Sequence, residues 1–81
     1  MDEKTRKTID QTVKSVMGVD IGTMDHKTKF SSISSWDSFN NLMLISKFEE
    51  DLKVKFTALE IEQTQTVGDL YSLLERKVAK K

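Results

Sequence analysis

Apolar residues return at helical spacing in three separate stretches of this 81-residue chain, and the chain contains no proline to interrupt them. The last stretch is the most regular. Val67, Leu70, Tyr71, Leu74 and Val78 stand at i, i+3, i+4, i+7 and i+11, one face of a helix. Thr66 precedes it as a candidate N-cap, Asp69 stands three residues after that cap, and lysines close the far end, where the helix dipole is negative. The first stretch, from Asp2 to about Met17, carries Ile9, Val13, Val16 and Met17 on one side. Asp2 and Glu3 sit at its positive end, and Gly18 can stop it in a left-handed conformation. Between residues 37 and 52, Phe39, Leu42, Ile45 (or Leu44), Phe48 and Leu52 give a second helix with an apolar stripe, leaving Asn40, Asn41, Lys47, Glu50 and Asp51 for its exposed face. Thr57 is placed to cap a brief turn through Ala58, Leu59 and Ile61 to about Gln63. The expected fold is all-α: a small irregular four-helix bundle, with three main helices and a short third one.

A chain of this length buries enough surface for one core, so residues 1–81 are expected to form a single domain. Residues 18–36 show no sustained period and hold Gly18, Gly22 and four serines, which reads as a long connection with brief turns around Val19, Ile21, Phe30 and Ile33. Long connections in small domains are commonly functional, and this one leads into Ser38. Trp36, just before the second helix, is expected to pack against the end of the bundle, because a large ring gains most by burial.

Thirteen basic residues balance thirteen acidic ones, which removes the positive field that nucleic-acid binding uses for affinity. No apolar run approaches the roughly 18–20 residues that span a bilayer, and the charged start is not followed by a signal-type stretch, so a cytoplasmic, monomeric protein without membrane insertion is expected. With no cysteine, any thiol chemistry must be imported.

Enzyme constellations are scarce. His26, the chain's one histidine, lies in a loop beside Asp25 and Lys27 with no orienting group in sight, and it reads as a surface residue. Glu49, Glu50 and Asp51 are consecutive on a helix, point in different directions and read as a solvated face. No catalytic residue and no metal ligand is assigned. Asp37-Ser38-Phe39 stands where the long connection becomes a helix, a place where unpaired N–H groups and the helix dipole favour a covalent phosphate. Helix capping by aspartate and serine explains the same residues.

Trp36-Asp37-Ser38-Phe39-Asn40-Asn41-Leu42, continuing through Phe48-Glu49-Glu50-Asp51-Leu52 to Phe56 and then Thr66-Val67-Gly68-Asp69-Leu70, resembles the acyl carrier protein family over about half the chain. Phe39 replaces the family's usual leucine. The resemblance implies that Ser38 carries 4′-phosphopantetheine, transferred from coenzyme A by a phosphopantetheinyl transferase, with the acyl group held as a thioester on its thiol. Asp37 would contribute to transferase recognition and to capping. Phe39, Asn40, Met43, Glu49 and Glu50 would meet acyl-loading and acyl-transfer enzymes along the second helix, and the carrier itself would catalyse nothing. Asn40 and Met43 stand where carriers of primary fatty acid synthesis usually show acids, and the chain is neutral rather than acidic. That pattern looks more like stand-alone carriers of specialised pathways, such as surface-saccharide acylation, polyketide or aminoacyl transfer. If the cargo is sheltered, Phe39, Leu42, Leu59 and Leu74 would line its space; the same residues serve equally as dry core. The rival reading is a non-covalent helical interaction module in which Ser38 is only a helix cap.

Overall fold

The computed structural model describes residues 2–79, and Lys80 and Lys81, two of the lysines expected at the chain's far end, lie outside the described residues. Four helices follow in order: α1 Glu3–Met17, α2 Ser38–Leu52, α3 Ala58–Gln63 and α4 Val67–Ala79. Two 3₁₀ turns, Ile21–Thr23 and Phe30–Ser32, punctuate the connection between α1 and α2 around two of its expected anchors. Among the described residues no helix is long and apolar enough to cross a membrane.

Local chemistry sets the helix ends. Asp2 caps α1 by accepting the Thr5 N–H at 2.7 Å, and Gly18 closes it at φ 73°, donating its N–H to the Lys14 carbonyl. α3 opens on a capping box, with Thr57 and Glu60 each accepting the other's backbone N–H. α4 has the same device: the Asp69 N–H donates to Thr66 Oγ1 at 3.1 Å and the Thr66 N–H to Asp69 Oδ2 at 3.2 Å. α2 ends on Lys53, a non-glycine residue at φ 57°, where the left-handed conformation costs about 1–2 kcal/mol.

Ile9, Val13 and Met17 of α1, Leu44, Phe48 and Leu52 of α2, and Val67, Leu70, Tyr71 and Leu74 of α4 meet in the core, joined by Ile21, Phe30 and Val54 from the connections. α3 buries none of its residues and is tied to α4 by an ion pair between Lys77 Nζ and Glu60 Oε2 at 2.8 Å.

The buried face of α2 differs from the expected one. Phe39 and Leu42 are 71% and 64% exposed, while Leu44 and Phe48 are fully buried. Steps of three residues each lag a full turn by about 60°, so a stripe running 39, 42, 45, 48 winds halfway round the helix. Phe39, nine residues before Phe48, therefore faces away from it. Asn41, expected on the exposed face, lies seven residues from Phe48, within about 20° of its direction, and is half-buried.

Backbone pairing fastens the long connection to α4. The Gly68 N–H donates to the His26 carbonyl at 2.9 Å, the Val67 N–H to the Thr28 carbonyl at 3.0 Å, and the Phe30 N–H to the Gln65 carbonyl at 2.9 Å. Lys29 and Thr66 form an isolated antiparallel bridge within this strap. A Cβ on Gly68 would lie 3.0 Å from the His26 carbonyl oxygen, so a side chain there would press the strap off the helix. His26 is an exposed residue whose carbonyl holds the strap.

The Tyr71 hydroxyl of α4 donates to Asp10 Oδ1 of α1, the Arg6 guanidinium lies 4.9 Å from the ring centroid, and the His26 ring lies 5.5 Å away. Burial first, and the Asp10 carboxylate second, push the Tyr71 hydroxyl from 10.0 up to about 12. A folded-state pKa above the unfolded one means that this contribution to stability is whole below pH 10 and is lost as pH rises from 10 toward 12. Denaturant titrations across that window should show the parent losing stability more steeply than Tyr71→Phe; parallel curves would contradict the assignment.

Candidate functional site

Ser38 is the first residue of α2, and it is exposed. The capping role belongs to its neighbour: Asp37, in extended conformation, accepts the Asn40 N–H at 2.8 Å, and its carbonyl takes the Asn41 N–H at 2.8 Å. Asp37 thus has the capping role expected of it, and the rival's picture of Ser38 as the cap is corrected, because the Ser38 backbone is already helical and a cap must stand outside the helix. Among the described residues its hydroxyl makes no hydrogen bond, and the N–H groups of Ser38 and Phe39 have no acceptor. A free hydroxyl therefore stands at the positive end of a helix beside two unpaired donors, which suits an attached phosphate.

An open cleft of about 280 Å³ begins beside it, lined by Lys29, Phe30, Ser31, Trp36, Asp37, Ser38, Asn41, Thr64 and Gln65. The strap creates this cleft, since pairing Phe30 with Gln65 brings the connection against the segment between α3 and α4. Trp36 packs against the core as expected, stacked on Phe30 with centroids 3.8 Å apart and planes 2° from parallel. Its Nε1–H donates to Asn41 Oδ1 at 3.1 Å. The stack contributes about 0.5–1.5 kcal/mol beyond its buried area, and the hydrogen bond about as much again. Lys29 is exposed on the rim and forms no ion pair among the described residues.

The other residues singled out from the sequence divide. Phe39 and Met43, 71% and 43% exposed, share the outer side of α2 with Leu42, and Leu59 of α3 is 61% exposed. Asn40 is half-buried and turned toward the loop, its Nδ2 donating to the Ser35 carbonyl at 2.9 Å. Glu49 accepts the Phe56 N–H at 3.1 Å, clamping the chain after α2, while Glu50 stays exposed. Asp51 accepts a hydrogen bond from Thr12 Oγ1 at 3.2 Å. The three consecutive acids thus form no single surface. Phe39, Leu42 and Leu59 do not line the cleft, and Leu74 is sealed in the core, so of the four residues expected to line a sheltered space or the core, Leu74 alone is core and the other three are exposed. Asn41 was open to detection by helical angle alone. Lys29, Phe30, Thr64 and Gln65 reach the cleft only through pairing of distant segments.

Comparison with known proteins gives consistent results. The chain is 31% identical over 78 residues to the acyl carrier protein of Thermotoga maritima, covering 91% of this chain and 96% of that protein. Its fold matches the crystal structure of an acyl carrier protein from Thermotoga maritima with a TM-score of 0.76 at 23% identity, covering 96% of this chain and 91% of that one. No family model matches the chain.

Proposed function

The chain belongs to the acyl carrier protein family, and we propose that it carries an acyl group as a thioester on 4′-phosphopantetheine attached to Ser38. Carriers of this family normally bear that group and catalyse no reaction themselves. The reading is supported above all by the exposed, unbonded hydroxyl of Ser38 on the first residue of α2, with free N–H donors beside it and an open cleft alongside.

These residues fit the group. The N–H groups of Ser38 and Phe39 and the dipole of α2 would stabilise its phosphodiester, a favourable effect of about 0.3–1 kcal/mol for a surface anion. Asp37 fixes the first turn that presents them, and Lys29 offers a positive charge on the rim. When bound, the group supplies the thiol that a cysteine-free chain lacks. In the attachment, Ser38 Oγ forms a bond to the phosphorus of coenzyme A and the diphosphate bridge breaks. Adenosine bisphosphate leaves, and the hydroxyl proton passes to a base of the phosphopantetheinyl transferase.

Partner enzymes for loading and transfer would meet α2 over Phe39, Leu42 and Met43, with Glu50 at its far end and Asp37 facing the transferase. Asn40 and Glu49 would act from within, holding the loop and the chain after α2 in place. A face with so few acids argues for a specialised acyl pathway rather than for the partners of an acidic carrier; the carrier is proposed to work in the cytoplasm as a monomer. The alternative is a non-covalent helical module that docks through the same face.

Incubation with an acyl-coenzyme A and a broad-specificity transferase should raise the protein's mass by one acyl-phosphopantetheine, and hydroxylamine should then remove the acyl group alone, as a thioester requires. An unchanged mass beside a modified control carrier would favour the non-covalent module.

A further inference from the structure

Three consecutive residues of the loop before α2 are tied to two consecutive residues of the helix itself. The Ser35 carbonyl accepts a hydrogen bond from Asn40 Nδ2 at 2.9 Å, the Trp36 indole donates to Asn41 Oδ1 at 3.1 Å, and the Asp37 carboxylate accepts the Asn40 N–H at 2.8 Å. Ser38 and Phe39 are enclosed between these ties, so the backbone of Ser38 is held from both sides while its hydroxyl stays free among the described residues. Within the loop, the Trp36 N–H donates to the Ile33 carbonyl at 3.0 Å. One group works against this closed arrangement. Ser35 Oγ is buried with no hydrogen-bond partner among the described residues, which is unfavourable beside a hydroxyl that reaches water. The Asn40 bond and the orphaned hydroxyl are effects of the same size and opposite sign, which leaves the closed form only modestly favoured.

We infer that residues 35–37 form a latch over the first turn of α2, closed by the Asn40 side chain and opposed by the Ser35 hydroxyl, and that the phosphopantetheinyl transferase binds the closed form. The inference rests on Ser38 being the attachment site. Asn40 is then a positioning residue, acting on Ser38 through the loop. A segment already ordered in the free carrier need not be ordered during binding, and a carrier that is open part of the time binds more weakly by the fraction that is closed. Once the latch is closed in the complex, the Ser38 oxygen stands in the same place, so the attachment step itself is unaffected. The role needs an amide, because only a donor can face the Ser35 carbonyl; a carboxylate there sets oxygen against oxygen.

The test compares the parent with Asn40→Asp, Asn40→Ala and Ser35→Ala. Asn40 stands in the first turn of α2, where the helix dipole favours a carboxylate, so Asn40→Asp should keep the parent's thermal midpoint while releasing the latch. Amide exchange at Trp36, measured relative to the fully buried Phe48, should be about three- to tenfold faster in both Asn40 variants and slower in Ser35→Ala, which removes the orphaned hydroxyl. In steady-state loading from coenzyme A by a broad-specificity transferase, KM for the carrier should rise about two- to fivefold in both Asn40 variants, less than the exchange rate because the parent is already open part of the time. Their kcat should match the parent's, and the KM of Ser35→Ala should be no higher than the parent's. Unchanged Trp36 exchange in the Asn40 variants, a KM at or below the parent's in either of them, or a loss confined to kcat would overturn the inference. If the Asn40 variants do not fold, Ser35→Ala decides by its exchange rate, which must fall. Failure of the parent to load overturns the carrier reading, and this inference with it; normal loading with the same KM throughout overturns the latch alone.

Discussion

Ser38→Ala should leave the protein folded and abolish its loading completely. Ser38 is exposed and already inside α2, and Asp37 caps that helix. Alanine is also the better helix former, so the change in stability should stay within about 0.5 kcal/mol. Loading has no comparable reserve, because the oxygen that forms the bond to phosphorus is gone. Intact mass after incubation with coenzyme A and a transferase should show no modified species, with circular dichroism like the parent's. Asp37→Ala is the instructive companion. It should cost about 1 kcal/mol through loss of the cap while keeping the hydroxyl, so it should load slowly rather than not at all. Full loading of Ser38→Ala at Ser31, Ser32, Ser34 or Ser35 would contradict the assignment.

Phe48→Ala should cost about 3–5 kcal/mol. Phe48 is fully buried where α2 meets the core, so truncation loses its transfer free energy and leaves a cavity. At about 0.05–0.15 kcal/mol per residue, a chain of 81 residues has about 4–12 kcal/mol in all, and the variant should be partly unfolded at physiological temperature. Phe39→Ala is the matched control: the same substitution on the same helix, at a residue 71% exposed, expected to change stability by no more than about 0.5 kcal/mol. Denaturant midpoints measure both. Equal losses would mean that α2 is rotated from the orientation described, and would return Phe39 to the core.

That contrast shows where sequence was informative. Helix ends are decided by neighbours in the chain, so the caps at Gly18, Thr57 and Thr66 could be read from nearby residues, while Asp2, read as the start of α1, stands just outside it as its cap. Ser38 stood out because it opens a helix after a long connection, and the family resemblance rested on the same residues. Stripes on α1 and α4 advance by mixed steps of three and four and stay on one side. On α2 the abundance of apolar residues allowed a second stripe built from three-residue steps, and that one leads away from the core. Asn41 was misplaced with it, although its angular distance from Phe48 was available from counting alone.

Other features depend on contacts between segments far apart in the chain. The strap joins residues 26–30 to residues 65–68 by backbone hydrogen bonds, which carry no side-chain signature. The cleft beside Ser38 and the seat of Trp36 follow from it. Glu49 was grouped with its acidic neighbours because composition cannot tell a solvated carboxylate from one that accepts the N–H of Phe56. Tyr71 was legible as an apolar stripe residue but not as the donor to Asp10, sixty-one positions away.

The account's central claim is most directly tested on the unaltered protein, by locating the modification after treatment with coenzyme A and a transferase. Tryptic cleavage releases residues 30–47, a peptide holding Ser31, Ser32, Ser34, Ser35, Ser38 and Ser46, and fragmentation within it assigns the modified residue. The account predicts one phosphopantetheine per chain, on Ser38. No modification of the folded protein alongside a modified control carrier, or attachment at any other serine, would contradict it.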